Sequence, residues 1–192
     1  MDNDTAIRIR ESAHDLIAAR GYFGFSYADI AEVVGIRKAS IHHHFPSKVD
    51  LVVATLKEYR AQLVEAAGGL DTRVADPLQR LKLYVHHWED CVQRNNRPIC
   101  IAALLSAEFP ALPEEIQTEI QLHLNYLVRW VRATLKEGVS YGSIQLQHGA
   151  EAEAQSFVAT VHGAMLSARA LGSPDIFSSI TKNALDRLRP SL

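Results

Sequence analysis

Apolar residues recur along this chain at helical spacing almost without a break, and the residues between the runs mark where each helix begins and ends. In TAIRIRESAHDLIAARGY the apolar positions Ile9, Ala13, Leu16 and Ile17 fall on one helical face, and Gly21 supplies a stop. SYADIAEVVG opens on Ser26 as an N-cap with Asp29 three residues on, which sets a carboxylate at the positive end of the helix. Ile30, Ala31 and Val34 are expected to face inward, and Gly35 to break the helix. KASIHHHF reads as a short helix ending before Pro46, because a residue preceding proline is pushed out of the α region. SKVD, Ser47 to Asp50, is a further cap signal. It opens a helix expected to run to about Ala67 and to stop at Gly68-Gly69.

The rest of the chain has the same texture. Asp76 as cap and Pro77 at the first helical position open a stripe of Leu78, Leu81, Val85, Trp88 and Val92. Arg97-Pro98 interrupts it, and ICIAALLSAEF is a short apolar helix closed by Pro110. Ile116, Ile120, Leu124, Leu127, Val131 and Leu135 keep the helical period until Gly138. AEAEAQSFVATVHGAMLSARAL ends at Gly172, and Pro174 opens the last helix. Ser143–Gln147 alternates but is short and isolated, so no strand is expected. The pattern predicts an all-α fold of about nine helices. Short helices form an N-terminal domain over residues 1–50 and longer ones a body over 51–192, connected by the helix that starts near 47.

At 192 residues, with 47% hydrophobic and 22% charged positions, the chain can bury one sizeable core or two small ones. No apolar run approaches the ~20 residues a membrane span needs. The N-terminus lacks the apolar stretch of a signal peptide, so a cytoplasmic protein without membrane association is expected. Cys91 and Cys100 are too few for a disulfide framework and lack metal-finger spacing; reduced thiols are expected. A net charge of −2 argues against a generally basic nucleic-acid binder. Charge is segregated, however: Ile36 to Lys48 holds Arg37, Lys38, Lys48 and His42-His43-His44 with no acid, while Glu114, Glu115, Glu119, Glu151 and Glu153 lie elsewhere.

Two short helices joined at Gly35 are the sequence picture of a helix-turn-helix, whose second helix enters the DNA major groove N-terminus first. Ile30, Val34, Ile36 and Ile41 would pack the pair, leaving Arg37, Lys38 and Ser40 to meet base edges or phosphates. Lys48 and the Ser47 cap would add a second phosphate contact. Neighbouring helical side chains point roughly 100° apart, so His42 and His43 cannot chelate one ion as an i, i+4 pair could. Histidines partly protonated beside phosphate would strengthen DNA binding toward acid pH. A solvated helical turn is the plain alternative for this stretch.

The segment Gly21 to Val52 resembles the DNA-binding part of the TetR/AcrR family of bacterial transcriptional regulators, with its pattern T-x-x-x-IA-x-x-x-GV-x-K-x-x-x-Y-x-HF-x-x-K-x-x-L. Ser26, Ile30-Ala31, Gly35, Lys38, His44-Phe45, Lys48 and Leu51 carry the match, with Ile9, Ala13, Leu16 and Gly21-Tyr22 upstream. The chain departs from the family at His42, where tyrosine is usual, at Arg37, where a small hydroxyl cap is usual, and at Ala39, often glycine. The resemblance implies a DNA-binding set of Ser26, Tyr27, Arg37, Lys38, Ala39, Ser40, His42, His43 and Lys48, with Phe45 in the core. It also implies a non-enzymatic homodimeric repressor, without cofactor or metal, released from pseudo-palindromic double-stranded operator DNA by a small-molecule effector.

On the same resemblance the last two helices would pair with their symmetry mates through Phe157, Val161, Ala164, Met165, Ala168, Ile176, Phe177, Ile180, Ala184 and Leu188, with Ala159, Gly163 and Ser167 allowing close approach; intramolecular core helices are the plain alternative. The middle helices would enclose an effector pocket drawn from Tyr84, His87, Trp88, Cys100, Leu104, Phe109, His123, Tyr126, Trp130 and His162. Each of these taken alone reads equally as core or surface. CIAALLSAEFPALP resembles a cysteine-to-glutamate segment of a subset of the family, some members of which sense electrophiles or oxidants. A thiol at a helix N-terminus is activated, whereas free cysteines are often simply buried, so both readings of Cys100 stand. A helical enzyme and a helical adaptor are the competing classes. The first lacks any catalytic motif, and the second leaves the acid-free stretch without a use.

Overall fold

The computed structural model describes residues 2–93 and 99–190, and among them nine α-helices and no strand are found. They are α1 (Asp2–Arg20), α2 (Tyr27–Val34), α3 (Lys38–His44), α4 (Lys48–Arg73), α5 (Pro77–Gln93), α6 (Ile101–Leu105), α7 (Glu114–Tyr141), α8 (Ala150–Leu171) and α9 (Pro174–Asp186). A 3-10 turn, Phe109–Ala111, precedes α7. The all-α expectation is met. The break expected at Arg97-Pro98 lies outside the described residues. Among the described residues no helix is long and apolar enough to cross a membrane.

Contacts group the chain into two units, Met1–Gln62 with Cys100–Leu124, and Leu63–Ile99 with Asn125–Leu192. The division therefore differs from a cut at residue 50: α6 and the start of α7 belong with the short N-terminal helices. The first unit has one apolar core, in which Ile9, Ile17, Ile30, Ile41, Leu51, Leu56, Ile101 and Ile116 are fully buried. Burial on that scale contributes about 1.5–3 kcal/mol per large side chain, which holds helices too short to persist alone.

The second unit is built on α5, α8 and α9, with Leu81, Val161 and Phe177 fully buried. Arg80, buried in this unit, donates to both oxygens of Glu137 (2.6 and 3.0 Å) and to the carbonyl of Val74 (2.7 Å). The hydrogen bonds that the guanidinium donates to Glu137 raise its pKa against the desolvation that opposes it. A buried charge is tolerable only when paired in this way.

Two helices run past the glycines expected to end them. Gly68-Gly69 lies inside α4, which continues to Arg73. Each glycine costs about 1 kcal/mol in a helix interior, but neighbours offset it. Thr72 Oγ1 donates back to the carbonyl of Gly68 at 3.0 Å, and Asp71 accepts from the indole of Trp130 at 3.1 Å. Gly138 likewise lies inside α7. A Cβ there would stand 2.4 Å from Ile144 Cδ1, so the position serves the chain's return rather than the helix's end. The amides of Ser143 and Ile144 both donate to the Gly138 carbonyl.

These two glycines should respond oppositely to substitution. Gly68→Ala, exposed and with no atom within 4 Å of an added Cβ, is expected to stabilise the protein by about 0.5–1 kcal/mol. Gly138→Val is expected to destabilise by roughly 1–3 kcal/mol through overpacking. Urea denaturation of the two variants beside the wild type checks both signs.

Candidate nucleic-acid interface

The first unit presents a short helix on a braced frame. Ser26 caps α2 through a reciprocal box: its hydroxyl accepts from Ala28 N at 3.2 Å, and its amide donates to Asp29 Oδ2 at 2.8 Å. Arg20 approaches Asp29 at 3.0 Å. The Ser26 hydroxyl and amide, then Arg20, hold the Asp29 carboxyl below its usual range. Its folded value lies under its unfolded one. The box's stabilisation is therefore present above the ordinary carboxylate range and lost as pH falls through the depressed value. Gly35 closes α2 at φ +73°, a left-handed turn that favours glycine, with its amide donating to Ala31 O. Arg8 reaches from α1 to the Val34 carbonyl at 2.7 Å. Ser47 and Asp50 form a second reciprocal cap at the head of α4.

Between these braces α3 buries Ile41 completely and exposes the other side. Arg37, Lys38, Ala39, Ser40, His42 and His43 are all exposed. Arg37 takes the N-cap position without a side-chain cap bond, so its guanidinium is not spent on the helix end. His42 Nδ1 lies 3.2 Å from the carbonyl of Pro46, a pure acceptor, so Nδ1–H donates and Nε2 faces away from that bond. The His42 ring also stands edge-on to Tyr27, with centroids 4.8 Å apart.

Three residues expected at the interface have work inside the fold. Ser26 is the α2 cap just described. Tyr27 is half-buried and donates its hydroxyl to the carbonyl of Phe45 at 2.9 Å; burial, then the Asp50 charge, push its phenol up to about 12. Lys48 turns its ammonium inward to the carbonyls of Tyr22 and Phe25 and over both rings. Burial lowers its pKa, while the charges of Glu108 and Asp29 oppose the shift. Spacing could not reveal this, because a lysine two residues past a proline reads as solvent-facing until its partners are known.

Two family models match the chain. "Bacterial regulatory proteins, tetR family" covers residues 9–55, and "Tetracyclin repressor-like, C-terminal domain" covers residues 77–183. The chain belongs to the TetR family. A TetR-family regulator of Agrobacterium tumefaciens has a crystal structure 44% identical in sequence, with a TM-score of 0.96, covering 99% of this chain and 100% of that one. The transcriptional regulator AcuR of Cereibacter sphaeroides is 28% identical over 173 residues, 86% of this chain and 77% of that protein. The HTH-type transcriptional repressor DhaR of a Mycobacterium species is 26% identical over 81% of this chain and 78% of its own length. The protein is thus a transcriptional regulator with a helix-turn-helix, and the enzyme and adaptor alternatives fall away.

The residues expected to line an effector pocket in this TetR-family chain divide between the units. In the first, Cys100 is buried, its sulfur 4.0 Å from His123 Nε2, and His123 stacks on Tyr59 with centroids 4.9 Å apart. His123 Nδ1 is buried with no hydrogen-bond partner among the described residues. Leu104 and Phe109 are half-buried. In the second, Tyr84 and Trp130 stand with ring centroids 5.9 Å apart, but the Trp130 indole is engaged by Asp71. Trp88 Nε1 and His162 Nε2 are buried without a partner among the described residues. Tyr126 is half-buried, and burial raises its pKa. His87 is exposed and turned toward Cys91 of its own helix, 4.0 Å away, which sets it apart from the buried members.

The dimer-face expectation needs correction. Phe157, Val161, Ala164, Met165, Ala168, Phe177 and Leu188 are buried within the chain's own second unit. Helical period identified the apolar stripe, but that stripe meets the same chain. One exposed face of α8 carries Ser156, Ala159, Gly163 and Ala170, with Thr160 and Ser167 half-exposed, while Gln155, Leu166 and Arg169 are also exposed. Ile176, Ile180 and Ala184 of α9 are half-buried. A groove of about 380 Å³ runs along α8 and α9, lined in part by Ala152, Ser156, Thr160, Ile180, Asn183 and Ala184.

The two lysines of the head should separate in their salt response. If Lys38 meets phosphate, Lys38→Ala lowers the slope of log affinity against log salt by about 0.9, the release of one counterion. Lys48→Ala, by contrast, should leave the slope unchanged and lower the melting temperature. Salt titrations of both variants on one duplex, with thermal melts alongside, decide it.

Proposed function

We propose that this TetR-family regulator acts in the cytoplasm as a homodimeric repressor, reading a pseudo-palindromic operator with α3 and leaving it when an effector binds. The observation that carries the reading is the exposed, acid-free face of α3, with Arg37, Lys38 and Ser40 at its N-terminal end and His42 and His43 in its last turn. Helix N-termini attract phosphate, and an arginine there suits the bidentate acceptors of guanine. Two copies related by a two-fold axis would place such heads about 34–36 Å apart, one turn of DNA.

Gly163 supports pairing through the exposed face of α8. It sits inside a 22-residue helix, and an added Cβ would meet nothing of the same chain within 4 Å. Glycine there weakens the helix by about 1 kcal/mol with no intramolecular return, which close approach of a second copy would explain. The effector must offer a hydrogen-bond acceptor within an apolar body, because the buried Trp88 Nε1 can only donate and lacks a partner among the described residues. It must bind the DNA-released state more tightly, since equal affinity for both states shifts nothing.

A second reading, sensing of electrophiles through Cys100, draws on the His123 ring beside the thiol, although the near-complete burial of Cys100 limits access to it. Cys100→Ser should abolish derepression by a quinone in a reporter strain if that reading holds, and leave it intact if Cys100 only fills the core.

Two outcomes test the main reading. Gly163→Arg should leave the helical content intact but shift the protein to monomer in light scattering, with loss of operator affinity. Arg37→Ala should relax base preference at one operator position, costing about 1–3 kcal/mol there, in selection from a random duplex library.

A further inference from the structure

The segment between α1 and α2 is gripped from two sides by charges of opposite sign. Glu108, in the turn that follows α6, accepts the Tyr22 amide on Oε2 at 2.8 Å. Lys48, at the first position of α4, donates to the carbonyls of Tyr22 and Phe25. The N–H and C=O of one residue are thus held by side chains from two other parts of the same unit. The Glu108 charge also opposes the lowering that burial imposes on the pKa of the half-buried Lys48 ammonium.

Room for this contact is made by Gly21. Its φ of +72° favours glycine, and a Cβ there would stand 2.2 Å from Glu108 Oε1. The carboxylate occupies the space that any other residue's side chain would need. Nothing in this arrangement touches the exposed face of α3, yet the gripped segment leads directly into Ser26, the cap of α2. Helix α2 in turn carries α3 through the Gly35 turn, and α1 packs on both.

We infer that Glu108 is a positioning residue for DNA reading: by fixing the Tyr22 peptide against Lys48, it sets where α2, and with it α3, stands. The inference rests on α3 being the reading element. Base contacts depend on side-chain placement to fractions of an ångström, whereas phosphate attraction tolerates small shifts. Loosening the Tyr22 peptide should therefore degrade recognition of a chosen sequence more than general affinity for DNA. A carboxylate that only stabilised the fold would not discriminate between the two.

The test uses the full chain and a duplex that the wild type itself selects from a random library. Affinities for that duplex and for a random duplex are measured at one salt concentration, well below the melting temperature. Glu108→Ala should weaken the selected duplex by roughly tenfold, the scale of one misread base pair, with the random duplex unchanged. Hydrogen exchange at the Tyr22 amide should accelerate in the same variant. Glu108→Gln keeps an acceptor for Tyr22 N–H and should stay close to wild type. Gln117→Ala is the control. Gln117 Nε2 donates to the Phe109 and Leu112 carbonyls in the same turn region, so its loss should lower stability without moving the affinity ratio.

Equal weakening on both duplexes, an unchanged Glu108→Ala, or a Gln117→Ala that loses the same discrimination each overturns the proposal. So does a Gln variant as impaired as the Ala one, which also serves as the readout if Glu108→Ala does not fold. If the wild type selects no duplex at all, the reading of α3 fails first and the role of Glu108 falls with it.

Discussion

A helix of seven residues does not persist in water, because the first turn fixes several dihedrals for a single hydrogen bond. Helix α3 therefore exists only as part of its surroundings, and DNA reading by this protein depends on how those surroundings hold it. Ile41 anchors one side in the apolar core. The ends are set by neighbours rather than by α3 itself: the Gly35 turn before it, and the Phe45 carbonyl bonded to Tyr27 after it. The capping boxes at Ser26 and Ser47 fix the helices on either side, each worth about 1 kcal/mol.

This scaffolding also explains how a chain of net charge −2 can present a cationic face. Asp29 and Asp50, which lie on either side of α3 in sequence, turn their carboxylates to the amides of Ser26 and Ser47. Arg20 further neutralises Asp29. Asp29 and Asp50 are consumed by backbone groups, while Glu32 of α2 and the cations Arg37 and Lys38 remain exposed. Local structure and long-range electrostatics are solved by the same residues.

What the sequence made legible follows the range of the forces involved. Caps, the Gly35 turn and the buried stripes depend on residues three or four apart, and Ser26, Asp29, Ile30 and Ile41 are where spacing puts them. The ends of α4 and α7 do not follow from local rules. At Gly68 and Gly138 local propensity competes with contacts made by Trp130 and Ile144, up to about sixty residues apart, and the contacts win. Lys48, expected to contact phosphate, turns inward for the same reason, since its acceptors on Tyr22 and Phe25 belong to another part of the chain. Periodicity found the apolar stripe of α8 but carried no information on whether that stripe meets the same chain or a second one.

Glycines bear on that question where periodicity does not. At Gly21 and Gly138 the space a Cβ would need is already taken by Glu108 and Ile144, so the chain's own packing accounts for both. At Gly163 that space is empty, and the residue stands on the exposed face of a long, half-buried helix. Gly68 meets the same test inside α4, so an empty space does not by itself imply a partner; Gly163 differs in sharing its exposed face with the small residues Ser156, Ala159 and Thr160. The same reasoning applied to polar atoms brings up, among others, His123 Nδ1, Trp88 Nε1 and His162 Nε2, each buried at a desolvation cost of about 1–3 kcal/mol with no partner among the described residues. In a regulator, groups left unsatisfied in one state are where a ligand can gain affinity selectively. That difference between states, rather than tight binding as such, is what moves a repressor off DNA.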